Sequence, residues 1–159
     1  MNRVRTLALG AMAGLAGTIA ALGLLAVNQR LAPGTMPPLR RDPGEFMVER
    51  AERLVPREAQ ARIPELLEAA AARALALAYG ITFGVLYAAL RPRAGSRTLH
   101  GVALGLGTWA VGYLGWLWLL GLMPPVWRQR LPQAVLPAAQ HVGYGLATVG
   151  AYEWLQQRH

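Results

Sequence analysis

Gly34-Thr35-Met36-Pro37-Pro38-Leu39-Arg40-Arg41 returns as Gly121-Leu122-Met123-Pro124-Pro125-Val126-Trp127-Arg128, and the reading of this phrase decides the fold. A proline pair cannot continue a helix and holds the preceding residue extended, so each copy is a turn. Each turn lies between two apolar stretches. The stretches after the turns echo one another: Tyr79-Gly80 with Tyr87 and Leu90 matches the spacing of Tyr144-Gly145 with Tyr152 and Leu155. The stretches before them share Gly10 and Gly14 against Gly101 and Gly105. This is the pattern of a helix–turn–helix unit duplicated and run twice through a bilayer. Repeat one covers 5–90 with an insert at 42–63, and repeat two covers 98–156, in a single membrane domain of residues 1–159.

A hydrocarbon core of ~30 Å is crossed by ~20 apolar helical residues. Charge-free runs at 6–27, 74–90, 98–126 and 131–152 supply four spans, the second short unless Arg73 snorkels to the interface. Apolar residues make up 54% of the chain and charged ones 15%; a soluble bundle of this size could not cover four helices that are apolar all round. The fold class that follows is an all-α membrane protein, with four transmembrane helices as two pseudo-repeated hairpins plus an interfacial amphipathic helix. The last element comes from the insert. Asp42-Pro43-Gly44-Glu45 reads as an N-cap, a first-turn proline and an acidic third position. From there to about residue 55, Met47, Ala51 and Leu54 fall on one side, and Glu49 with Arg53 forms an i,i+4 pair on another. A short piece at 57–63 follows, and Pro64 can open the second span.

All sixteen basic residues are arginine, and the net charge is +8. In a soluble protein this excess would point to nucleic acid. At the ends of spans it meets headgroups instead, so the expected partner is the bilayer with its anionic lipids, and no nucleic acid. Arg40, Arg41, Arg128 and Arg130 share one membrane face, either as a site for an anionic lipid or ligand or as snorkelling anchors. Both Pro-Pro turns belong to one side, with the termini and the 91–97 loop opposite. Ten arginines on the turn side against six on the other would place the turns inside. The acid-free 91–97 loop, with Arg3 and Arg5, outweighs that count because the other arginines have carboxylates nearby; the termini are therefore expected in the cytoplasm. The first run is longer than a leader's apolar core and reads as a retained helix.

The chain has no cysteine, which excludes disulfides and thiolate chemistry. No Ser/His/Asp set, phosphate loop or dinucleotide fingerprint occurs, and no catalytic residue, metal or cofactor is expected. His100 and His141 stand at opposite ends of their spans, ~25–30 Å apart, too far to share one haem or metal. His141 is read as hydrogen-bonding a carbonyl, a tyrosine or a headgroup beside the turn-side arginines; a proton, quinone or ligand contact is the alternative. It shares a helix face with Gly145, Thr148 and Tyr152, with Tyr144 adjoining, and the matching face of the second span is Ala76, Gly80, Phe83 and Tyr87. These Tyr-Gly positions either frame a pocket or are glycine notches with tyrosines filling space. Glu153 is expected to pair with Arg158 or His100. The stripes Gly10, Gly14 and Gly17 on the first span and Gly101, Gly105 and Thr108 on the third are expected to cross closely, with Gly112, Gly80 and Gly145 as further packing glycines.

The run from Gly121 to Val126, then Leu131-Pro132 and Gln140-His141-Val142 with Tyr144 beyond, resembles the YagU-like bacterial inner-membrane proteins. That resemblance implies a multi-pass protein of the bacterial inner membrane, and departs at Ala76, where a histidine would stand, and in the arginine-rich insert. The expected function is that of a non-enzymatic membrane protein acting by association, as an accessory subunit or a homo-oligomer. The alternatives are a small transporter or channel built on the duplicated hairpin, and a quinone- or haem-associated subunit.

Overall fold

The computed structural model of the chain describes residues 2–56, 58, 64–91 and 95–158. The expected short piece at 57–63 falls almost wholly outside the described residues, as do Arg93 and His159. Five helices carry the fold, and no strand occurs among the described residues. α1 is Arg3–Leu31, opened by Asn2, whose side chain accepts from the Val4 N–H at 3.1 Å. α2 is Pro43–Glu52, and Asp42 caps it as its sequence demands, accepting from Gly44 and Glu45 at 2.8 and 3.0 Å. α3 is Glu65–Leu90. α4 starts as Arg97–Trp109, widens into a π-helical segment at Ala110–Trp116 and closes with the turn Leu117–Leu119. α5 is Leu131–Gln157, its first turn tied by the Gln133 side chain accepting from Arg130 N–H at 3.3 Å.

α1, α3 and the whole of α4 are long and apolar enough to cross a membrane. α5 has the length, at 27 residues, without the apolarity, because Gln133, Gln140, His141, Tyr144, Thr148 and Tyr152 lie along it. Its position explains the tolerance. α5 packs along both α1 and α4, and three of these residues, Tyr144, Thr148 and Tyr152, are buried there, with Gln133, Gln140 and His141 half-buried.

The helices follow one another in space as α3, α1, α5, α4. This corrects the expected crossing of the two glycine stripes, which would have set α1 against α4. Each stripe is instead used within its own hairpin. A Cβ at Gly10 would stand 2.7 Å from the Gly84 carbonyl oxygen, and one at Gly14 would stand 2.6 Å from that of Gly80. On the other side, a Cβ at Gly105 would strike the His141 carbonyl and stand 2.6 Å from Val142 Cα, while Gly101 meets Leu146. Gly145 faces the backbone of Gly101 and Gly105. Gly17 alone turns across, towards Thr148 and Tyr144 of α5. The reason is that the second helix of each hairpin carries its own notch, and two notched surfaces bring backbones closest when they face each other. Gly112 has more room, its nearest neighbour being the Tyr79 hydroxyl at 3.6 Å.

The two Pro-Pro phrases lie side by side, joined by a hydrogen bond from Arg40 N–H to the Leu122 carbonyl at 2.8 Å. They fold differently. Gly121 has φ 73° and ends α4, with Leu122 N–H reaching back to Leu117 O and Gly121 N–H to Trp118 O. Gly34 sits in a 3₁₀ turn, Pro33–Thr35, two residues beyond Ala32, and needs no such φ. Leu122 and Met123 are buried with Tyr113 and Leu117, and Phe46 of α2 packs on them. α2 is clamped as well as amphipathic: Gly44 lies against the Ala72 carbonyl, and Phe46 is flanked by the guanidinium groups of Arg41 and Arg50. Met47 on α2 and Leu54 just beyond it stay exposed, and the predicted Arg53–Glu49 pair forms at 3.1 Å.

Candidate functional site

The packing leaves one edge of the bundle open. α1 lies along α5, whereas α3 and α4 meet only marginally, and between them runs a groove of about 780 Å³. Such a volume is typical of a site for a small molecule or lipid, roughly 300–1,000 Å³. One wall is α3, through Ala69, Ala72, Leu75, Ala76, Ala78 and Thr82; the other is Trp116 of α4 and Leu120, which caps it. The start of α2 roofs it with Pro43, Gly44 and Met47. Its walls are apolar. Its charged groups collect at the mouth: Arg73 from α3, Asp42 and Glu45 from α2.

Two local features open this groove. The Tyr79 side chain crosses from α3 and donates to the Thr108 carbonyl of α4 at 3.1 Å, tying the helices together deep in the groove. Above that tie, α4 becomes π-helical, with each N–H reaching one residue further back and the turn widening. Gly115, at φ −102° and ψ −114°, carries the departure from helical geometry, and a residue without Cβ permits it. The wider turn aims Tyr113 at α5, where its ring meets the His141 ring edge-on at 5.6 Å, and leaves Trp116 in the groove. Thr82 donates to the Ala78 carbonyl at 2.8 Å, satisfying its hydroxyl within α3.

A second, smaller hollow of about 220 Å³ lies between α2 and the start of α3, lined by Glu45, Glu49, Glu52, Glu65 and Glu68 with Arg41. Arg41 is committed there, paired with Glu49 at 2.6 Å. The hydrogen bond from Arg53, opposed in part by desolvation and reinforced by Arg41, holds the Glu49 carboxyl below the usual carboxylate range.

The residues singled out from the sequence are dispersed. Of the four turn-side arginines, Arg41 pairs with Glu49, Arg40 ties the phrases through its backbone, Arg130 opens α5, and Arg128 is exposed in the second turn. His141 uses Nδ1 on the Pro137 carbonyl of its own helix at 2.7 Å, which makes the expected carbonyl contact but holds no turn. His100 belongs to a separate cluster with Tyr87, whose ring packs edge-on against Tyr152. His141 and Tyr152 are eleven positions apart on α5, ~16 Å at 1.5 Å per residue. Tyr144 donates to the Gly80 carbonyl at 2.6 Å and so ties α5 to α3. Glu153 pairs with Arg97 instead of Arg158 or His100; Arg158 lies 4.0 Å over the Trp154 ring. The start of α4 at Arg97 brings its guanidinium to Glu153, while Arg158 is engaged on the Trp154 ring.

Sequence reading missed the groove. Arg73 was visible only as a snorkelling residue and Glu45 only as part of a helix cap, since neither signals what stands opposite it. Gly112 and Gly115 among the tryptophans are the one hint of an irregular helix. No protein-family profile, no curated protein and no solved structure matches this chain.

Proposed function

We propose that this chain is a non-enzymatic, four-span integral membrane protein that acts by association, and that the element it presents is the lateral groove between α3 and α4. α5 is the fourth span, a polar helix carried inside a cover of α1 and α4. Under the duplication reading, α1 against α5 and α3 against α4 are equivalent interfaces. Only the first is packed, so the groove is the vacancy left where the second would close. That vacancy carries the reading: its walls are apolar, its charges are confined to one end, and it opens sideways, towards lipid. It fits a membrane-borne amphiphile, held either by this chain alone or as part of a larger accessory assembly. The glycine stripes no longer supply a reason for self-association, because their backbones are engaged inside the bundle. A bacterial inner-membrane location, with the termini cytoplasmic, is part of the same proposal and rests on the YagU-like resemblance and the charge pattern.

Filling the groove tests this. Ala76→Trp, and Leu120→Trp on the facing wall, should each strip lipid that copurifies with the wild-type protein in mild detergent, without altering elution or melting temperature. Unchanged lipid retention in both variants would remove the groove from the proposal. A transporter is the second reading, favoured by the column His141, Tyr144, Thr148 and Tyr152 along α5; solute flux into proteoliposomes that is abolished by Thr148→Val would favour it.

A further inference from the structure

The charge pattern at the groove mouth selects among lipids. We infer that the groove binds one zwitterionic phospholipid with a primary-amine headgroup, of the phosphoethanolamine type, with an acyl chain lying between α3 and α4. This rests on the groove reading above and names its ligand.

Depth comes first. The wall of α3 runs from Ala69 to Thr82, ~20 Å at 1.5 Å per residue, and its apolar part beyond the charged Arg73 runs nine positions, ~14 Å. Half of a ~30 Å hydrocarbon core is ~15 Å, so the groove spans one leaflet. It begins at the charged end, beside the turns, and the Tyr79–Thr108 tie lies near its inner end. A partner's transmembrane helix would need a surface running the full thickness. An acyl chain of one leaflet needs only this.

Charge decides the headgroup. Among the described residues, neither Arg73 nor Glu45 makes an ion pair, although Arg41, Arg53 and Arg97 each find one. Asp42 caps α2 through one oxygen, Oδ1, which leaves its other oxygen for a ligand. The mouth thus offers one free guanidinium and two carboxylates. A guanidinium fork accepts a phosphate diester well. An anionic lipid whose only charge is that phosphate, such as phosphatidylglycerol, would leave Asp42 and Glu45 without a cation, with Glu65 and Glu68 close behind in the neighbouring hollow. A zwitterion places phosphate on Arg73 and its ammonium on the carboxylates. A primary ammonium donates hydrogen bonds to them, whereas a trimethylammonium has none to give and calls for an aromatic cage. Phe46, the one aromatic ring on α2, is already flanked by Arg41 and Arg50. The specificity is therefore opposite to the anionic-lipid preference that the arginine count suggests.

The test is competition in nanodiscs containing equal phosphatidylethanolamine, phosphatidylglycerol and phosphatidylcholine, followed by extraction and mass spectrometry of the lipid retained on the protein. Wild type should retain mainly phosphatidylethanolamine. Asp42→Asn with Glu45→Gln keeps the helix cap and removes both charges; its ethanolamine preference should fall about tenfold, the worth of one charge-assisted contact, with total lipid unchanged. Arg73→Ala should lose both preference and lipid. Retention of phosphatidylglycerol or phosphatidylcholine by wild type, or an unaltered preference in the double variant, overturns the headgroup assignment. Lipid retention that survives Ala76→Trp and Leu120→Trp overturns the groove itself, so the two failures are distinguishable.

Discussion

Gly105 and Gly107 lie two positions apart on α4 and should respond to alanine in opposite directions. A methyl group at Gly107 meets nothing within 4 Å. There Gly→Ala gains only helix propensity, about 0.5–1 kcal/mol. At Gly105 the same gain is offset by a Cβ driven into the His141 carbonyl and against Val142 Cα. Those atoms are backbone of a packed helix and cannot rotate aside; relief requires α5 to move away from α4, and overpacking of this kind costs about 1–3 kcal/mol. The net expectation for Gly105→Ala is a loss of up to about 2 kcal/mol. In a protein of this size 1 kcal/mol moves the melting temperature by about 2–4 °C, so the pair should separate by several degrees. Thermal unfolding in one detergent, followed by tryptophan fluorescence, reads both variants. If Gly105→Ala melts at or above wild type, the close approach of α4 and α5 is wrong, and with it the assignment of each glycine stripe to its own hairpin.

Tyr144→Phe removes the hydroxyl that reaches the Gly80 carbonyl and should cost about 1 kcal/mol, measured by the same unfolding assay. Glu49 sets a pH dependence for α2. Its folded carboxyl is held below its ordinary value, so its pairing stabilises the fold above that ordinary value and is lost as pH falls through the folded value. Amide protection across residues 43–52, taken relative to the intrinsic exchange rate at each pH, should fall on acidification, and Glu49→Gln should show the lower protection already at neutral pH with no further step. Finally, the chain has no cysteine to confuse labelling. Arg40→Cys and Arg128→Cys should react with an impermeant maleimide from one side of the membrane and Arg97→Cys only from the other; labelling of Arg40→Cys and Arg128→Cys from opposite sides would break the paired turns.

Sequence by itself determined what depends on near neighbours along the chain. The cap at Asp42, the proline at the start of α2, the Glu49–Arg53 pair and the apolar runs that became α1, α3 and α4 are set by spacings of three and four residues, which is the range of helical contacts. Which surfaces meet was decided only by the tertiary structure. Every small-residue stripe looks alike in sequence, so Gly14 carries no mark that its partner is Gly80 and not Gly105. One phrase likewise gave two turns, because Gly121 ends a helix directly and must turn left-handed, while Gly34 follows a residue that has already left α1. The groove is the extreme case. It is a missing contact between α3 and α4, created by a widened α4 and a single tyrosine bridge, and a contact that fails to form leaves no spacing in the sequence to read.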